Sequence, residues 1–197
     1  MPLSAPVARE HLHTRQVECR GFRRADGLWD IEGHLVDTKT YGFDNQWRGH
    51  MPPGTPVHQM WVRMTIDAEM IIVAMEVVTD DSPYRICADI TKDFQKLVGL
   101  RLVAGFNQRV KERLGGTKGC THLVELMGPI ATAAYQTVFT AKGGGKWRDP
   151  AAGDKKKPRF LDTCHALASD SPVVKQYWPD FYKGADAAAE KDAAKGS

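Results

Sequence analysis

Two runs of strict apolar–polar alternation govern what this chain can become. Leu28-Trp-Asp-Ile-Glu-Gly-His-Leu-Val-Asp37 puts Trp29, Ile31 and Leu35 on one side and Asp30, Glu32 and His34 on the other. His58-Gln-Met-Trp-Val-Arg-Met-Thr-Ile-Asp67 does the same with Met60, Val62, Met64 and Ile66. Successive side chains of a strand face opposite ways, so each run reads as a strand with one apolar face, the face a helical layer would cover.

The neighbouring segments extend that pattern. Gln16 to Arg23 also alternates, and Asp26-Gly27 is a turn signal that joins it to the 28–37 run as a hairpin. Ile71 to Asp80, reached from Asp67 through a short acidic turn, completes a second hairpin with the 58–67 run. Between the hairpins, residues 38–56 are rich in Gly, Pro, Asn and Thr and are expected to form a long loop of the kind that carries function. The second half changes period. Asp89–Val98 and Phe106–Leu114 read as short amphipathic helices separated by Gly99-Leu-Arg-Leu-Val-Ala-Gly105. A longer helix is expected from about Gly119 to Phe139, with Leu123, Leu126, Met127, Ile130, Ala131, Ala134 and Val138 on one stripe and a bend at Pro129. The fold class is therefore α+β, an antiparallel sheet of hairpins followed by helices packed on one face.

Residues 1–141 make the main domain in this reading. Residues 142–158, with Gly143-Gly-Gly145 and Lys155-Lys-Lys157, form a linker. Residues 159–183 are a small C-terminal helical appendage, opened by the helix-start signal Asp170-Ser-Pro172 and docked on the main domain because it is too short to fold alone. The Ala/Lys/Asp/Glu tail over 184–197 is expected to be disordered.

Composition removes several function classes. The 197 residues, 42% hydrophobic and 26% charged, suit a soluble globular chain with a sizeable core. The net charge of +3 comes from interspersed residues without a basic stripe, so no nucleic-acid partner is expected. The polar, proline-broken start does not resemble a signal peptide, and no run approaches the roughly 18 apolar residues of a membrane span, so a soluble cytoplasmic protein is expected. Cys19, Cys87, Cys120 and Cys164 contain no CxxC pair and should be thiols or ligands rather than a disulfide scaffold. A small molecule is the expected partner, with a homodimer left open.

The candidate site follows from strand register. If the 28–37 and 58–67 runs pair antiparallel, Asp37 approaches His58, and Thr79-Asp80-Asp81 returns to the same edge. A carboxylate beside an imidazole at the mouth of a core can tune the histidine for proton exchange, although an ordinary ion pair is the bland alternative. Cys120-Thr-His122 opens the long helix, where free N–H groups favour a thiolate or an anion. It could supply nucleophile and base, two metal ligands or merely a helix cap. His34, Lys39, Tyr41, Trp47 and Arg48 combine aromatic and basic character near the loop, suited to an aromatic or anionic ligand or to plain solvation. Cys164-His165 is adjacent, but on a helix the two side chains would diverge by about 100°, which does not favour one shared metal.

Two resemblances add to this. Asp26-Gly-Leu-Trp-Asp-Ile-Glu-Gly-His-Leu-Val-Asp-Thr-Lys39, Thr79-Asp-Asp-Ser-Pro-Tyr84, Gly119-Cys-Thr-His-Leu-Val-Glu-Leu126 and Asp162-Thr-Cys-His-Ala166 resemble the bacterial domain of unknown function DUF2889. That resemblance implies a link to aromatic-compound breakdown, including cofactor-free loss of formaldehyde from lignin-derived units. Antiparallel strands followed by helices, with a Gly-Leu-Arg-Leu step and a Cys/His pair opening a late helix, are similar to iron–sulfur scaffold proteins of the NifU type. Here no cysteine opens the second strand, and Asp81-Ser-Pro83 stands where the scaffold has Gly-Cys-Gly.

The leading expectation is a lyase performing acid–base carbon–carbon cleavage on a small aromatic substrate. Asp37, His58 and Asp80 line its pocket with Cys120 and His122, while His34, Lys39 and Tyr41 stand at the entrance. No cofactor is required, and neither a GxGxxG fingerprint nor a P-loop is present. The alternative is a zinc or iron site built from His58, Cys87, Cys120 and His122, used for binding or metal-assisted hydrolysis. A non-catalytic module for a small ligand is the third reading.

Overall fold

The computed structural model describes residues 3–141, 157–158 and 160–184, and the chain divides into two units, Met1–Phe139 and Thr140–Ser197. The expected linker and tail lie almost wholly outside the described residues. Among the described residues, the first unit carries six strands: β1 (His13–Arg23), β2 (Trp29–Lys39), β3 (Phe43–Asn45), β4 (Gly49–Met51), β5 (Pro56–Ile66) and β6 (Ile72–Asp81). The long ones form an antiparallel sheet in the order β1-β2-β5-β6.

Local chemistry sets the turns. The Leu28 backbone N–H donates to Asp26 Oδ1 at 3.2 Å and Gly27 takes φ 87°, a left-handed conformation that favours glycine and closes the first hairpin on the pair Arg23↔Trp29. Asp67 Oδ1 accepts from the backbone N–H groups of Glu69 at 2.9 Å and Ile71 at 2.8 Å, which closes the turn from β5 to β6.

Residues 38–56 are more ordered than a loop. β3 and β4 pair as a small hairpin whose turn is held by Asn45 Oδ1, accepting from Trp47 and Arg48 N–H groups at 2.8 and 3.0 Å. Arg48 anchors this hairpin by donating to the Pro56 carbonyl and to Asp81 Oδ1, each at 2.7 Å.

One face of the sheet carries the core. Trp29, Ile31, Leu35, Met60, Val62, Met64, Ile66, Ile72 and Met75 are buried beneath helices. The expected α-helix over 89–98 is instead a 3-10 helix, Arg85–Leu97, which packs on β6 and buries Phe94 and Leu97. Those two core residues are three apart, a spacing that a three-residue turn places on one side. It is followed by α1 (Phe106–Leu114) and α2 (Thr121–Phe139), with α2 lying over β1 and β2 and α1 beside it. Pro129 lies inside α2, where it costs the helix about 3 kcal/mol. Burial of Leu123, Leu126, Met127, Ile130, Ala134 and Val138 outweighs that cost, since a large buried aliphatic side chain contributes roughly 1.5–3 kcal/mol.

The second unit contains α3 (Pro172–Tyr177), started as expected at Ser171, whose Oγ accepts from the Val174 N–H at 3.1 Å. Leu161 and Val174 are its buried apolar residues among those described.

Candidate active site

The sheet register assembles the site. Arg15 pairs with Asp37 across β1 and β2, and Asp37 pairs with His58 across β2 and β5, so the three lie in one row on the helix-covered face. Asp37 continues the buried series Trp29, Ile31 and Leu35, which is why a carboxylate ends up only 2% exposed. The β2–β5 register shifts between Asp37 and Thr38, so regular pairing ends just past the site. A buried charge of this kind needs partners, and Asp37 has several.

Arg15 grips the carboxylate with two parallel bonds, Nε to Oδ1 and Nη2 to Oδ2, both 2.8 Å. Its remaining nitrogen, Nη1, donates to Glu125 Oε2 at 2.9 Å and so ties α2 to the sheet edge. His13 Nε2 lies 3.2 Å from Asp37 Oδ1, and His58 Nδ1 is 3.0 Å from Oδ2. From the second position of α2, His122 brings Nε2 to 3.9 Å from the same Oδ2. Its ring centroid is 3.8 Å from that of His58, and its Nδ1 is 3.9 Å from Cys120 Sγ.

These contacts fix protonation states. Burial raises the cost of a charge on Asp37, but the bonds and charge of Arg15, with smaller help from His58 and His122, hold its carboxyl below the ordinary carboxylate value. An ionised carboxylate only accepts, so His58 must present Nδ1–H to Asp37, which leaves the lone pair on Nε2. Burial, followed by repulsion from His122, lowers the His58 pKa against the opposing pull of Asp37. His122 is lowered by burial and then by Arg15, against Asp37 and Glu125. Both rings therefore favour the neutral form, which can accept a proton or ligate a metal.

Beside this cluster lies a cleft of about 540 Å³ lined by Cys87, Ile90, Lys92, Cys120 and His122, among others. Cys120, Cys87 and His122 thus share one cavity wall, and His122 connects that wall to Asp37.

The structure joins Asp37, His58 and His122 as the sequence suggested, and corrects other placements. Asp80 is on the opposite face of the sheet, where its Oδ2 accepts from Trp61 Nε1 at 2.8 Å. His34 is on that face too, stacked on Trp61 with ring centroids 3.4 Å apart. Neither side chain lies on the side of the sheet that holds His58. Lys39 and Tyr41 pair with each other, Nζ to OH at 2.8 Å, with the ammonium also 5.1 Å from the Phe43 ring centre.

Among the described residues, the group whose ligand atoms lie within 4.8 Å of one another is Asp37, His58 and His122, so Cys87 and Cys120 fall outside it. Arg15, His13 and Glu125 went unseen in the sequence. Counting outward from the Asp26-Gly27 turn sets Arg15 opposite Asp37, but β1 begins at His13, three residues before the alternating run that starts at Gln16.

No helix among the described residues is long and apolar enough to cross a membrane. Comparison with curated proteins and with solved structures found no match. A family model does match, described as a protein of unknown function, DUF2889, over residues 13–136. That span is more than half of the chain and runs from His13 into α2, so it contains every residue of the cluster around Asp37. The chain belongs to the DUF2889 family.

Proposed function

We propose that this protein is a lyase that cleaves a carbon–carbon bond by acid–base chemistry, releasing formaldehyde from a small lignin-type aromatic alcohol. The observation that carries the acid–base part is the 3.0 Å contact between His58 Nδ1 and Asp37 Oδ2, with Asp37 buried and clamped by Arg15. Such a pair holds the imidazole in one tautomer with its other nitrogen ready to take a proton. The substrate class comes from the family resemblance, and the aromatic and cationic cluster of Lys39, Tyr41 and Phe43 suits it.

In this reading His58 Nε2 takes the proton of a primary alcohol. The oxygen lone pair forms the carbonyl of formaldehyde as the C–C bond breaks, and the bond's electrons pass into a conjugated acceptor on the ring-bearing fragment. The proton held by His58 then returns to that fragment, so the alcohol divides into formaldehyde and a hydrogen-capped product. Lys39 and Tyr41 steady the developing negative charge. His122, itself part of the cleft wall, reaches from there to Asp37.

A second reading, metal handling in the manner of NifU-type scaffolds, is supported by His58 near the start of β5 and His122 at a late helix start. The two thiols that a cluster would call on are outside the ligand group.

Screening aromatic primary alcohols for released formaldehyde, with and without a chelator, tests the proposal. His58→Ala is expected to lower the rate by about a hundred- to ten-thousand-fold, the usual range for a general base, and Asp37→Asn to lower it as well. Turnover that survives both substitutions would sink the mechanism, and ligand binding without turnover would mark a binding module.

A further inference from the structure

We propose that Asp37, His58 and His122 form a mononuclear site for a divalent transition-metal ion of the Zn²⁺ class. One donor atom from each lies within 4.8 Å of the others. The specific separations are telling. Asp37 Oδ2 is 3.0 Å from His58 Nδ1 and 3.9 Å from His122 Nε2. A tetrahedral ion with bonds of about 2.0–2.1 Å places its ligands roughly 3.3 Å apart, between these two values, so small side-chain adjustments suffice.

The donor types select the ion. Two imidazoles and one carboxylate suit zinc, iron, nickel or copper, whereas magnesium and calcium prefer an all-oxygen shell. Three protein donors leave a further position for water or a ligand, the pattern of reactive rather than structural zinc sites.

The surroundings also resemble an outer shell. Asp37 Oδ1 is held by Arg15 Nε and approached by His13 Nε2, which orients the carboxylate and leaves Oδ2 facing the histidines. Oδ2 accepts one bond from Arg15 Nη2, and its second lone pair, now directed at His58, is the one an ion would use. Glu125 fixes Arg15 in turn. Arg15 is thereby a positioning residue for the ligand rather than a competitor for all of it.

The site stands on these three side chains and not on the turnover of any alcohol. Its failure and the failure of the lyase reading are therefore separable, because binding is measured without substrate.

The test uses the full chain, freed of any affinity tag and stripped with a chelator. Zn²⁺ is titrated by calorimetry and Co²⁺ by visible absorption. The expected result is one ion per chain and a cobalt spectrum of nitrogen and oxygen ligation. His58→Ala and His122→Ala should each weaken binding by more than about tenfold, since even outer-shell partners are worth that much, while His165→Ala leaves it unchanged. His122→Gln, checked for native circular dichroism, separates ligand loss from misfolding. The proposal is overturned by absence of one-to-one binding in the wild-type chain, by binding that persists in the His58 and His122 variants, or by a thiolate-to-cobalt band that moves the site to the cysteines.

Discussion

Asp37 is the residue on which the site turns, and its pairing with Arg15 makes the fold sensitive to acid in a defined way. Its folded pKa lies below the ordinary value, so the unfolded chain binds its proton more readily. The stability it contributes is fully present above the unfolded value of about 3.9 and is lost as pH falls through the lower folded value. His58 and His122 are also lowered when folded, so they too favour the unfolded state once pH drops below an unfolded histidine value of about 6.5. Acid should therefore reduce stability in two stages, first below about pH 6.5 and again below about pH 4. Denaturant midpoints measured across pH check this. His122→Ala is expected to flatten the first stage, and Asp37→Asn to flatten the second while lowering stability at neutral pH by about 1–3 kcal/mol through the lost Arg15 bonds. The Asp37–His58 pair was legible in the sequence because alternation fixes faces and antiparallel pairing fixes ends. Arg15 was not, because β1 is an edge strand whose polar start, His13-Thr14-Arg15, carries no apolar alternation to read.

The element that completes the site is α2, and its seat on the sheet depends on one small residue. A Cβ built on Gly33 would come within 2.6 Å of Ile130 Cδ1 and 2.8 Å of its Cγ1, so the Ile130 side chain of α2 fills the space that a larger residue on β2 would need. Gly33→Ala is expected to destabilise by about 1–3 kcal/mol, the usual cost of overpacking. Ile130→Val removes the atom in closest conflict, so the double variant should recover part of the loss. A double-mutant cycle in denaturant measures that coupling, and strictly additive effects would refute the close-approach account. Because His122 and Glu125 ride on α2, the same shift should weaken the contact of His122 to Asp37 and that of Glu125 to Arg15. The helix itself was legible from its apolar stripe, down to its end at Phe139. The side-chain placement of Asp80 was not. The β5–β6 register shifts between Thr65 and Ile66, so the core face passes from Ile72 to Met75 and Asp80 falls on the other side although it returns to the right edge.

At the scale of the molecule, the site exists only when distant segments meet. β1, β2, β5 and α2 each contribute a side chain around one carboxylate, and none of these elements holds a ligand set alone. An ion bound by Asp37, His58 and His122 would therefore cross-link two strands and a helix in the folded state, and the unfolded chain would offer only scattered donors. A ligand that binds only the folded form stabilises it by RT ln(1 + [L]/Kd), about 2.7 kcal/mol at a hundredfold excess over Kd. Zn²⁺ is thus expected to raise the melting temperature of the metal-free chain in a concentration-dependent way, and His122→Ala to abolish the rise. If the proposed lyase reading holds, the same ion should inhibit formaldehyde release. It would take the Oδ2 lone pair and the Nδ1 position that now share a hydrogen bond, and a neutral imidazole bound to a cation through Nδ1 carries its proton on Nε2, where it can no longer act as the base. Thermal melts and rates collected over one Zn²⁺ series separate the outcomes. Stabilisation with inhibition fits one cluster used in two exclusive ways, whereas stabilisation that leaves the rate intact would place the base elsewhere than His58.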